Sequence, residues 1–147
     1  MRVAREVVLA AGVERVWATL WDVPRMVGCV PGCVEAREVE PRRRYEARMS
    51  QKVGPIALSV PLEIRVREEP PGGLAVEARG RDGRLAAEVR MSVRLAVEPV
   101  GTGSRLAVEA EGQVLGTLGA LGAGVIQRRA EELVAEFAAR LRRAVEG

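Results

Sequence analysis

Apolar and polar positions recur along the chain with two different periods, and the changes of period divide it into elements. Residues 2–9 read as a strand, with Val3, Val7 and Leu9 on one face and Arg5 between them. From Val13 to Trp21 the apolar residues Val13, Val16, Trp17 and Leu20 stand at helical spacing. Asp22-Val23-Pro24-Arg25 breaks that pattern, and Asp22 is placed to cap a short second helix running to about Val27. The Pro31-Gly32 pair ends this helical section.

From Cys33 to about Val114 the period becomes two. Tyr45, Ala47, Met49, Gln51 and Val53 alternate with Arg44, Glu46, Arg48, Ser50 and Lys52. After Gly54-Pro55, a face of Ile56, Leu58, Val60, Leu62, Ile64 and Val66 opposes Ser59, Glu63, Arg65 and Arg67. Pro70-Pro71-Gly72-Gly73 marks a turn before Leu74, Val76 and Ala78, and Asp82-Gly83 is a hairpin signal. The next strand is read from Leu85 to Val97, with every second residue apolar. Gly101-Thr102-Gly103 turns the chain once more into Leu106, Val108, Ala110 and Val114. Strands with one apolar and one charged face, joined by short turns, make an antiparallel meander that is wet on one side.

The apolar side needs a cover, and the C-terminal segment supplies it. From Val125 onward, Ile126, Ala130, Leu133, Phe137, Leu141 and Ala144 form one helical stripe, with most Arg and Glu off it. Four glycines between Leu115 and Gly124 are read as opening this helix, each at a cost of roughly 1 kcal/mol relative to Ala. They are tolerated where backbone approaches a sheet or a ligand closely. The order predicts one α+β domain over 1–147: a strand, two short helices, an antiparallel sheet of about six to seven strands, and a long terminal helix gripped by that sheet.

Composition narrows what such a domain can do. The 147 residues hold no His and no Asn. A His general base, a His metal ligand and any Ser-His or Cys-His dyad are therefore unavailable. Of 70 hydrophobic residues, 23 are Val and 21 Ala, while Trp17, Trp21, Tyr45 and Phe137 are the only rings. Lack of Asn fits a heat-adapted source, and a codon bias toward Arg and Ala produces much the same picture. The net charge of +3 is modest. The Arg42-Arg43-Arg44 run reads as a solvated turn, and with so few stacking aromatics nucleic acid is not the expected partner. Cys29 and Cys33 flank Val30-Pro31-Gly32, which is neither the two-residue redox spacing nor half of a zinc site with further His or Cys to complete it. Two thiols beside a turn are expected, with no metal and no cofactor. No membrane-length apolar run is present, and Arg2, Arg5 and Glu6 interrupt any secretion signal, so the expected location is cytoplasmic.

Several strings bear a family likeness in order: Val16-Trp17 with Asp22, Cys29-Val30-Pro31-Gly32, Lys52-Val53-Gly54-Pro55-Ile56, Gly80-Arg81-Asp82-Gly83, Gly101-Thr102, and the Gly116, Gly119, Gly122 series. Together they resemble the carbon monoxide dehydrogenase G-subunit family of the START-like (SRPBCC), helix-grip superfamily. The resemblance implies a helix-grip fold enclosing a hydrophobic cavity, and an accessory rather than a catalytic role. It implies as partners an apolar molecule such as a quinone or lipid, and a molybdenum hydroxylase brought to the inner face of the cell membrane. Longer family members continue past the last helix into an extension proposed to contact the membrane. The sequence here ends at Gly147, an expected departure from that mode of attachment.

Small side chains under a concave sheet leave two outcomes open: tight closure on the helix, or an apolar void. The residues expected to line such a void are Tyr45, Met49, Leu58, Val60 and Leu62 on the first long strands, with Val89, Met91 and Val93 on a later one. Leu121, Val125 and Phe137 face them from the helix, and Trp17, Trp21 and Met26 lie near an entrance. Three functions compete. The first is a carrier of an apolar ligand. The second is a START-like enzyme of cyclase or hydrolase type, for which the inner faces offer little beyond Tyr45 and Gln51. The third is a ligand-free protein or membrane adaptor using the apolar Leu115–Gly124 stretch, with Leu118 and Leu121 as contacts. Carriage is the favoured expectation, and no catalytic residue is assigned.

Overall fold

The computed structural model describes residues 1–147. In chain order it contains β1 (Arg2–Leu9), α1 (Val13–Trp21), α2 (Val23–Gly28), β2 (Cys33–Glu40), β3 (Arg44–Val53), β4 (Ile56–Glu69), β5 (Gly73–Asp82), β6 (Ala87–Val100), β7 (Gly103–Leu115), a 3₁₀ turn (Gly116–Leu121) and α3 (Ala123–Glu146). All strands join one antiparallel sheet in the order β1-β7-β6-β5-β4-β3-β2. The meander from β2 to β7 is the local solution expected of strands joined by short turns. The first strand adds to its far edge, so the α1–α2 crossover spans the sheet from edge to edge.

The period-two pattern becomes burial directly. On β4, Leu58, Val60, Leu62, Ile64 and Val66 are buried while their sequence neighbours are exposed. The outer face is a field of ion pairs, among them Arg94–Glu69 at 3.3 Å and Arg105–Glu98 at 2.8 Å. Exposed pairs of this kind contribute little stability and keep the face wet. The inner face is covered by α3, whose Ala130, Phe137, Ala138, Leu141 and Val145 are buried.

The long helix is tied to β1 at both ends. The Gln127 amide bonds both ways with the Arg2 backbone, donating from Nε2 at 2.8 Å and accepting at Oε1 at 3.3 Å, as a neighbouring strand would. Near the C-terminus, Glu146 Oε2 accepts from the Ala10 amide at 2.8 Å, and this bond holds the Glu146 carboxyl below its usual range. The Arg25 guanidinium of α2 donates to the Ala144 carbonyl at 3.2 Å, so the crossover is fastened to the same helix end.

Four local expectations need correction. Asp22 stands at the start of α2, but its side chain makes no capping bond; its backbone carbonyl accepts from Met26 N instead. The strand read from Leu85 begins at Ala87, because the Asp82 carboxylate accepts from the amides of Arg84 and Leu85 and holds a wider turn. Of the glycines after Leu115 only Gly122 and Gly124 open α3: Gly116 and Gly119 lie in a separate 3₁₀ turn, Gly122 (φ +92°) stands between that turn and the long helix, and Gly124 is in the first helical turn. Leu118 within that turn is 1% exposed and belongs to the core, so it presents no surface for an adaptor contact.

Candidate functional site

Two apolar cavities lie between the sheet and α3. The inner one, about 120 Å³, is lined by seventeen side chains, all hydrophobic. Its floor is β3 to β7, one end is closed by Met26, Val27 and Val30, and its roof is Leu133, Val134 and Phe137 of α3. The outer one, about 90 Å³, lies toward the start of α3, where Ile126, Ala130 and Leu118 meet Met1 and Val114. The two share Met49, Met91, Ala110, Leu133 and Val134. Gln51, Gln113 and Arg129 are the three non-hydrophobic residues around the outer one, and the surface open to it is almost wholly apolar. These cavities exist because inner-face residues such as Ala78 and Ala110 are too short to reach the helix across a curved sheet.

The sequence-based candidates divide by position. Met26, Met49, Leu62, Met91, Val93 and Phe137 line the inner cavity. Leu58 and Val89, again with Met49 and Met91, line the outer one. The remaining six line neither. Val60 is fully buried, with its Cγ2 and Leu62 Cδ2 occupying the space where Gly80 has no side chain. Leu121 and Val125 pack over Gly54 of the β3–β4 turn, and Val125 is partly exposed. Trp21 lies beneath the Arg42 guanidinium, 4.1 Å from the ring centroid, in a cation–π contact that ties the end of α1 to the β2–β3 turn. Trp17, on α1, is half-buried against the core. The Tyr45 ring is buried and its hydroxyl donates to Glu38 Oε2 at 3.1 Å, across the β2–β3 pair. Burial, with the Glu38 carboxylate beside it, raises the Tyr45 hydroxyl above its ordinary value.

Several residues that complete the walls have weaker sequence signals. Val134 follows Leu133 on α3, one position off the stripe, and reaches the cavity because the sheet wraps more than one side of the helix. Arg129 reads as a solvated charge beside Arg128, yet it stands four residues before Leu133 on the cavity side. Cys33 lines the inner cavity as a reduced thiol, and burial pushes it up to about 11. Cys29 is raised by burial too, partly offset by Arg25, Arg140 and Arg143, and its Sγ donates to the Arg25 carbonyl. Both thiols are therefore poor nucleophiles at neutral pH. No group of three or more Cys, Asp or Glu side chains is arranged to hold a metal ion. No helix is long and apolar enough to cross a membrane.

A larger depression, about 680 Å³, lies against the charged face of the sheet. Its walls place charges of opposite sign opposite one another across the β4–β5 pair, Glu63 beside Arg79 and Arg65 beside Glu77, and Arg65 pairs with Glu63 at 3.2 Å along β4. The apolar cavities, by contrast, leave inward surface without a partner, and they are the candidate site.

A curved antiparallel sheet gripping a C-terminal helix, with two short helices in the crossover and apolar space beneath, defines a helix-grip, START-like protein. The sequence pattern of the G subunit of carbon monoxide dehydrogenase (CoxG) matches residues 6–146, and the chain belongs to that family. Among solved structures it is similar to a conserved protein from Geobacillus kaustophilus, with TM-score 0.85, 19% identity, and 99% of this chain and 95% of that one covered. A protein from Chromobacterium violaceum superposes with TM-score 0.71 at 18% identity over 100% and 99% of the two chains. The Zhui aromatase/cyclase from Streptomyces sp. R1128 superposes with TM-score 0.67 at 15% identity over 99% and 93%. No curated protein sequence matches the chain.

Proposed function

We propose that this protein is a carrier of an apolar small molecule of quinone or lipid type, accessory to a molybdenum hydroxylase of the carbon monoxide dehydrogenase kind. On this reading it works in the cytoplasm, with peripheral contact at the inner face of the membrane where such ligands reside. The observation that carries it is the inner cavity, walled by seventeen hydrophobic side chains and no polar one. An apolar molecule entering it leaves water without losing a hydrogen bond, gaining about 25 cal/mol per Å² of apolar surface buried. The wall between the two cavities includes Met49 and Met91, unbranched and adaptable side chains that can move aside for a ligand longer than either space. Family membership supports the accessory role, since the family takes its name from one component of a dehydrogenase.

A catalytic reading draws on the similar fold of an aromatase/cyclase. Against it stands the chemistry of the inner wall, whose one titratable group, the Cys33 thiol, stays neutral until about pH 11. General acid–base work needs a group that titrates near the working pH.

The test is organic extraction of the purified protein followed by mass spectrometry, with thermal unfolding measured against added short-chain menaquinone. A co-purified apolar molecule and a rise in Tm that saturates with ligand are expected. Absence of both would remove the carrier reading.

A further inference from the structure

One end of the molecule has a surface unlike the rest. In the meander the β3–β4 turn, the β5–β6 turn and the last residues of β7 fall at the same end of the sheet, and the 3₁₀ turn and the start of α3 follow there. Close contacts join these segments. Leu121 and Val125 lie over Gly54 of the β3–β4 turn, and the backbone at Gly116 runs against the Ala86 carbonyl of the β5–β6 turn. Leu115 and Val125 stand just before and just after the 3₁₀ turn, at 42% and 38% exposure, and are two of the four exposed large hydrophobic side chains of the protein.

Charge at this end has one sign. Residues 51–58, 83–87 and 112–130 contain no Asp or Glu. Asp82, at the foot of the β5–β6 turn, is 7% exposed and accepts from the amides of Arg84 and Leu85. The exposed charges of the three segments are Lys52, Arg84 and Arg128. Lys52 faces Ala57 across the β3–β4 pair. The first carboxylates of α3, Glu131 and Glu132, bond to Gln127 and Arg129. The outer face of the sheet, by contrast, sets Arg against Glu in ion pairs.

This end also lies directly over the outer cavity: Leu118 of the 3₁₀ turn and Ile126, next to Val125, line it. Exposed apolar side chains among cations suit a bilayer with anionic lipids, whose surface potential attracts Lys and Arg while the apolar groups leave water. An apolar cargo held in such a bilayer has a short path from there to the cavity.

We propose that this end is the docking surface for an anionic bilayer: Leu121 and Val125 enter the interface, and Lys52, Arg84 and Arg128 meet the head-group phosphates. This rests on the carrier reading and adds the surface by which the protein meets its cargo's source.

The experiment is sedimentation of the full chain with phosphatidylcholine vesicles, with and without phosphatidylglycerol. Binding is expected to the anionic vesicles, weakened by salt, and little to the neutral ones. Replacing both Lys52→Gln and Arg128→Gln should lower the partition coefficient about 25-fold, or about five-fold per cation. Val125→Glu should lower it about ten-fold or more. That carboxylate falls in the first turn of α3, where the helix dipole favours it, so folding is not impaired. Val8→Glu makes the same change of charge opposite Arg105 on β1 and should bind nearly as the unmodified protein does. Binding of 1-aminoanthracene, a small apolar fluorophore that reports the cavities, should be the same in every variant, and the Lys52/Arg128 variant carries the test if Val125→Glu does not fold. Equal binding of Val125→Glu and Val8→Glu would overturn the docking surface. So would displacement from the vesicles by soluble polyglutamate at equal charge, which would assign this end to an acidic protein. Absence of vesicle binding with 1-aminoanthracene still bound would overturn the docking surface and leave the carrier reading standing.

Discussion

Cys33 couples the cavity wall to pH. Burial lifts its thiol from 9.0 to about 11, so the folded state holds that proton more tightly than the unfolded chain. The resulting stability is fully present below pH 9 and is lost as pH rises through the folded value near 11. Urea midpoints at pH 8 and pH 10.5 should show the native protein losing about 2 kcal/mol more than Cys33→Ala over that interval. Equal losses would mean that the thiol is not desolvated. Tyr45 shows what residue-scale reading misses: its inward position is legible from alternation, whereas its hydroxyl partner is not. Glu38 reaches it only because β2 pairs with β3 in a register broken by irregularities on either side of Arg37 and Glu38. Arg129 reads as surface charge for a related reason. Its neighbour Arg128 is exposed, and which of two adjacent arginines turns inward depends on the rotation of α3 against the sheet.

At the scale of elements, alternation locates the strands well because every strand has one dry and one wet face, so period two persists through β3 to β7. It fails where backbone geometry departs from the regular. β2 contains Glu35 at φ +57°, and its register shifts twice, which scatters its apolar residues. The glycine-rich stretch reads as helix by spacing, but Gly116 at φ +83° cannot belong to one. Two substitutions test this division. A Cβ at Gly116 would overlap the Ala86 carbonyl oxygen, so Gly116→Ala should destabilise by about 2 kcal/mol or more. Gly124, in the first turn of α3, has open space around its Cβ position, so Gly124→Ala should stabilise by about 0.5 kcal/mol. Denaturant unfolding of the pair reads both signs at once. Like effects at the two positions would show that the turn and the helix are one element.

At the scale of the whole molecule, the cavities follow from a sheet curved around a helix with short side chains at the centre. Ala110 is 2% exposed and borders both cavities. Ala110→Leu adds three carbons into existing space, so it should change stability by less than about 1.5 kcal/mol while removing most 1-aminoanthracene binding. Retained binding together with a large loss of stability would mean that the space seen at Ala110 is not where apolar molecules go. The apolar pattern identifies the inward faces, and eight of the candidates chosen from it border a cavity: Met26, Met49, Leu58, Leu62, Val89, Met91, Val93 and Phe137. It does not separate these from Val60, which is just as apolar and inward but lies flush against Gly80. Facing inward is a property of one strand. Bordering a void depends on what the strands opposite fail to fill.

The sequence alone determined the order of elements, the inward face of each strand from β3 to β7, the terminal helix as cover, and the absence of His chemistry. Each of these is a local consequence of side-chain type and spacing, and needs no knowledge of what packs against what. Tertiary structure decided the rest: that β1 joins the far edge of the sheet, that Gly116 and Gly119 belong to a separate turn, and that Gln51 and Arg129 meet across 78 positions of sequence. It also decided that the interior holds space. A void is the difference between the volume a curved sheet encloses and the volume its side chains occupy, and the curvature exists only once every strand has found its neighbours.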